Sequence, residues 1–98
     1  MTDLEITRFC AQAMGVDVHE STFNSGRIGL FPRTGYEYEP LHDDAECMAL
    51  VKKFRLLVDG GNVLWCVHGD VFGSGVINAD LNRAICESVA RMQQEQQK

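Results

Sequence analysis

The chain lacks the marks of most specialised classes. Of its 98 residues only two are proline and one is tryptophan, and no stretch approaches the roughly eighteen apolar residues that cross a membrane as a helix. The segment Met1-Thr-Asp-Leu-Glu has neither the basic start nor the apolar run of a secretory signal. A membrane partner is therefore not expected, and a cytoplasmic location is. Positive charge is scarce too: nine Lys and Arg stand against fourteen Asp and Glu, for a net charge of −5. A protein that works by neutralising phosphates carries the opposite balance, so direct DNA binding is not expected.

The chemistry-bearing residues are equally sparse. None of the four cysteines belongs to a CxxC pair, and in the cytosol they read as reduced, small apolar residues. Cys66 and His68 share one strand face, but two more zinc ligands would have to come from distant positions such as Cys10 or Cys86, so neither metal nor cofactor is expected. All four cysteines fall on apolar stripes or faces, where burial raises a thiol's pKa and blunts it as a nucleophile. Gly69 to Gly75 is glycine-rich but lacks the Gly-Lys-Ser/Thr ending of a phosphate-binding loop, and reads as a turn. The chain is not expected to be an enzyme.

What is present is an ordinary globular domain. Apolar residues make up 45% and charged residues 23%, and the length accommodates one domain spanning 1–98. Ile6, Phe9, Cys10, Ala13 and Met14 recur at helical spacing, with Thr2 or Asp3 to cap the start and Gly15 to end it, which predicts a helix over about 3–14. Cys47, Leu50, Val51 and Phe54 form a second stripe behind Asp43 and Glu46, spaced as a capping box, and predict a helix over 44–54. A third helix, about 79–93, follows from Leu81, Ala84, Ile85, Ser88, Val89 and Met92, capped by Asn78 or Asp80.

Residues 16–40 hold many turn formers and little periodicity. They are expected to form an irregular, variable loop, with only Arg27 to Phe31 extended. Residues 55–68 read as a hairpin closed by Gly60-Gly61, with Asp59 facing Asn62, Val58 facing Val63 and Leu56 facing Trp65. Leu56, Val58, Val63, Trp65 and Val67 then share one face while Leu57, Leu64 and Cys66 share the other. A hairpin apolar on both sides needs cover above and below. The expected fold is therefore α+β, a three-layer α/β/α sandwich with a small antiparallel sheet and three helices; a homodimer is compatible with the same pattern.

Two stretches suit binding. Between Ser21 and Tyr36 there are no acids, and Arg27 and Arg33 accompany Phe31 on a glycine-rich backbone, a combination that takes a phosphate or a base. Glu37, Glu39, Asp43, Asp44 and Glu46 follow as an acidic run with Tyr36 and Tyr38 interleaved, which suits a protein interface. The expected binding residues are Arg27, Phe31, Arg33, Tyr36, Tyr38, Asp43, Asp44 and Glu46.

Three segments carry a resemblance: Leu4-Glu-Ile-x-x-x-x-Ala11-x-Ala-Met-Gly15, Pro40-Leu-His-Asp-Asp-Ala45-x-x-Met-x-Leu-Val51, and Asp80-Leu-Asn-Arg-Ala-Ile-Cys86-x-x-Val-Ala-x-Met92. They resemble the phage ABA-sandwich domain family of small phage and prophage proteins. The resemblance covers most of the chain except 16–39, and implies a sheet between helical layers and no catalytic residues. Its setting implies a non-catalytic binding protein in the cytoplasm of a bacterial host, inhibiting a host protein or protein complex as a counter-defence or host-takeover factor. The alternative from the residues is a small-molecule binder that sequesters a nucleotide signal through the loop from Arg27 to Tyr36.

Overall fold

A computed structural model describes residues 1–33, 35–60, 64–68 and 76–96. Helix α1 spans Asp3–Met14, with a complete capping box in which Thr2 accepts from the Glu5 N–H and Glu5 reaches back to the Thr2 N–H. It ends where Gly15 turns left-handed at φ 70° and the N–H groups of Gly15 and Val16 return to the carbonyls of Gln12 and Ala11. Of the predicted stripe, Ile6 and Cys10 are buried and Phe9, Ala13 and Met14 are partly buried against the core; Ala11, outside that stripe, is buried as well.

The stretch expected to be irregular contains a hairpin. Strands β1, Val18–Thr22, and β2, Ile28–Pro32, pair antiparallel with His19 opposite Phe31 and Glu20 opposite Leu30. The turn closes through the Phe23 N–H donating to the Arg27 carbonyl at 2.8 Å, with Gly26 at φ 89°. Strand β2 coincides with the extended stretch expected from Arg27 to Phe31, whereas β1 has no counterpart in the sequence pattern. Its sequence Val-His-Glu-Ser-Thr has one apolar residue and an almost wholly exposed pattern, so no alternation marks it. Backbone pairing and an ion pair from Glu20 to Arg8 of α1 hold it in place.

Helix α2, Asp44–Phe54, is capped by Asp43, whose carboxylate accepts from the N–H groups of Ala45 and Glu46. The capping box is only half formed, because the Glu46 carboxylate accepts from the Glu39 N–H at 2.9 Å instead of turning back to Asp43. Lys53 donates to the Ala13 carbonyl at 2.8 Å, so it serves the C-terminus of α1. Helix α3 covers Leu81–Gln96, longer than the periodicity predicts, and the Asp80 carboxylate accepts from the Arg83 N–H at its start.

Strands β3, Leu57–Gly60, β4, Trp65–His68, and β5, Val76–Asn78, form an antiparallel sheet in the order β3-β4-β5. The expected register is corrected: Val58 pairs with Val67 and Gly60 with Trp65, so residues 61–64 connect the strands where a tight Gly60-Gly61 turn was predicted. Gly60 is not a turn corner because it serves as the floor beneath the Trp65 ring. The displacement is an even number of residues, so the two faces keep their expected members. Gly61, Asn62, Val63 and the glycine-rich turn at Gly69 to Gly75 lie outside the described residues.

The fold is α+β with layered elements. Helix α3 packs on α1 and α2, the hairpin lies on α1 through β2, and β4 and β5 lie on α3. The core joins Ile6, Cys10, Leu50, Val67, Ile85 and Val89. Among the described residues only one face of the three-stranded sheet receives this cover: Val67 and Val76 are buried, whereas Leu57 and Ile77 on the other face are 65% and 61% exposed. The burial expected of Leu64 and Trp65 is likewise not found, and both are exposed. Alternation shows what a face is able to bury, but the three helices have spent their apolar stripes on each other and on the inner face.

Candidate functional site

The hairpin, the start of α1 and the segment leading to α2 enclose a cleft of about 300 Å³. Its lining includes Asp3 and Leu4 of α1, Gly29 and Leu30 of β2, and Glu37, Glu39 and Leu41 of the connection. The connection is held in place by backbone hydrogen bonds. The Tyr38 N–H donates to the Leu30 carbonyl at 2.7 Å, and the Glu39 carbonyl accepts from the N–H of Asp43 at 2.7 Å.

Arg27 sits at the mouth with its guanidinium forked onto Glu37 at 2.8 and 2.9 Å, 3.8 Å from Glu39, and 4.1 Å above the Phe23 ring. The hydrogen bonds to Glu37 raise its pKa above the ordinary value. Gly29 makes this packing possible, since a Cβ there would stand 2.8 Å from Phe23 Cε2 and 2.9 Å from Glu37 Oε2. Phe31 packs between Phe23 and His19 in tilted ring contacts, at centroid distances of 5.7 and 6.2 Å. The basic loop and the acidic run seen as neighbours in sequence therefore face each other in space and neutralise one another in part.

The expected residues separate into different surroundings. Arg33 is exposed after β2, and Tyr36 is 84% exposed. Tyr38 is corrected from surface anchor to core residue: it is buried, its hydroxyl has no hydrogen-bond partner among the described residues, and burial pushes its pKa up. Asp43 is committed to the α2 cap, and Asp44 accepts from Asn82 Nδ2 at 2.9 Å. Glu46 is half-buried, and desolvation raises its pKa against the lowering effect of the Glu39 N–H, with Asp43, Glu39 and Glu37 adding to the rise. Asp3 and Leu4 were not anticipated; no signal in the sequence brings the start of α1 against residues 27–42, because that approach depends on α1 carrying the hairpin.

The cysteines lie elsewhere. Cys10, Cys47 and Cys86 are buried where the three helices meet, and Cys10 Sγ donates to the Cys86 carbonyl at 3.4 Å. A hydrogen bond with Cys86 and then desolvation raise the pKa of Cys47; contact with Cys10 and burial raise that of Cys86, which Cys47 partly offsets. Among the described residues no group of three or more His, Cys, Asp or Glu side chains is placed to hold a metal ion, and no helix is long and apolar enough to cross a membrane.

Comparison with protein families, curated proteins and solved structures finds no match for this chain.

Proposed function

We propose that this chain is a small phage- or prophage-encoded binding protein that acts without catalysis in the bacterial cytoplasm by inhibiting a host protein complex. The phage setting rests on the resemblance of the three helical segments. The observation that carries the binding reading is Tyr36, 84% exposed, with exposed Arg33 three residues before it and Glu37 of the cleft lining directly after it in the chain. A large aromatic held this far into solvent gains nothing for the monomer, whereas Tyr and Arg are the residues that most often anchor interfaces. Nucleotide sequestration is the weaker reading, because Asp3, Glu37 and Glu39 line the cleft beside Arg27 and disfavour a phosphate there.

The test is an affinity capture from a bacterial host, followed by binding measurements with the purified captured protein. The expected result is a complex that Arg33→Ala/Tyr36→Ala weakens at least about tenfold, or about 1.4 kcal/mol, with thermal unfolding unchanged. Micromolar binding of a nucleotide in a calorimetric panel, with no protein captured, overturns the proposal in favour of nucleotide sequestration.

A further inference from the structure

The cleft holds a clue to the chemistry of its partner. Its lining carries Asp3, Glu37 and Glu39 against Arg27 and His42, over an apolar floor that includes Leu4, Leu30 and Leu41. Asp3 is engaged by Arg83 at 2.8 Å, which leaves Glu37 and Glu39 to Arg27. Two carboxylates beside an aromatic face are a complete set of contacts for a guanidinium: fork-to-fork hydrogen bonds, opposite charge and a ring to lie on. Gly29 lets Phe23 and the Glu37 carboxylate converge here, since with a Cβ at position 29 one of the two side chains would have to shift.

Arg27 fills that set from the outside. Its side chain is 53% exposed while that of Glu37 is 16% exposed, so the acceptor is held by the fold and the donor is accessible for exchange. We propose that this cleft is an arginine-binding niche and that Arg27 is its resident occupant, displaced when an arginine of a partner protein inserts its guanidinium onto Glu37 and Glu39 and lays its alkyl stem along Leu4 and Leu41. The inference rests on the reading of the chain as a protein-binding module, and it specifies that partner as a basic segment; the net charge of −5 favours the same approach. Exposed ion pairs are weak, so Arg27 lowers the apparent affinity for an incoming guanidinium only by a small factor.

The test uses the whole protein and L-argininamide as probe, with L-lysinamide and glycinamide beside it, followed by amide chemical shifts. Arg27→Ala is expected to bind argininamide about threefold or more tightly than the parent, with shifts centred on Phe23, Gly29, Glu37 and Glu39, and lysinamide less tightly. Adding Glu37→Gln to Arg27→Ala is expected to abolish the gain. Arg27→Gln, which keeps a polar side chain over Phe23, serves if the alanine variant folds poorly. Equal binding by the parent and both Arg27 variants, shifts located elsewhere, or glycinamide binding as well as argininamide overturns the niche. A captured host protein whose affinity is indifferent to Arg27→Ala and Glu37→Gln sinks this inference while leaving the binding-protein reading intact. Tight argininamide binding by Arg27→Ala with no protein captured does the reverse.

Discussion

The ring of Trp65 lies over Gly60 on the neighbouring strand, so close that a Cβ at Gly60 would stand 2.8 Å from Trp65 Cζ3. The two residues are direct partners in the β3–β4 register, and the glycine lets the ring cover backbone that a side chain would otherwise shield. Gly60→Ala is therefore expected to push the ring outward. Because Trp65 is the single tryptophan, a red shift of its fluorescence reports the displacement directly. A loss of about 1 kcal/mol should accompany it, lowering Tm by about 4–8 °C. Unchanged emission and Tm would show that the pairing carries no such constraint.

Tyr38 separates two contributions of one side chain. Tyr38→Ala opens a cavity in the core beside α1, at an expected cost of about 3 kcal/mol. Tyr38→Phe removes only a hydroxyl that is buried without a hydrogen-bond partner among the described residues, so stability should hold or rise by up to about 1 kcal/mol. Denaturant unfolding of the two variants distinguishes these outcomes; a large loss in Tyr38→Phe would mean that the hydroxyl is satisfied.

Asp43 and Asp44 are adjacent acids with different duties. Asp43→Ala removes the α2 cap and should cost about 1 kcal/mol, whereas Asp44→Ala gives up an exposed bond to Asn82 and should cost no more than about 0.5 kcal/mol. Equal thermal shifts would contradict the capping assignment. Any loss of binding on changing Asp43 must accordingly be compared with its effect on the fold.

Glu46 gives a pH dependence whose sign can be worked out. Its pKa is raised from 4.5 in the folded protein, chiefly by desolvation, so the folded state binds the proton more tightly than the unfolded chain. Ionised Glu46 is therefore destabilising. The penalty is absent below the ordinary carboxylate value and fully present above the raised one. Glu46→Gln keeps an acceptor for the Glu39 N–H and removes the charge. It should raise Tm slightly at pH 7, with the difference fading towards pH 4; a gain that grows on acidification has the wrong sign for this account.

The thiols provide a check on burial. Cys10, Cys47 and Cys86 are buried and Cys66 is half-buried, so a thiol reagent should modify about one cysteine rapidly in the native protein and all four only after denaturation. Rapid native modification of the helical cysteines would contradict the packing of α1, α2 and α3.

The helices and their caps were legible in the sequence because both signals are local. Ile6, Phe9 and Cys10 lie within about one turn of one another, and Thr2, Gly15 and Asp43 act on backbone groups a few residues away. Strand β1 was not legible, since an exposed edge strand is defined by the backbone it pairs with and not by its own side chains. The β3–β4 register is not legible because Gly60-Gly61 suits a tight turn equally well, and the pairing of Gly60 with Trp65 is a contact between strands that neither segment specifies alone. The site divides in the same way. Sequence alone showed a basic loop beside an acidic run, but nothing in it could turn Arg27 onto Glu37, bury Tyr38 while exposing Tyr36, or bring Asp3 and Leu4 to the same cleft. Those outcomes depend on contacts between segments far apart in the chain, and they are fixed only when α1 supports the hairpin and the hairpin in turn positions residues 37–42.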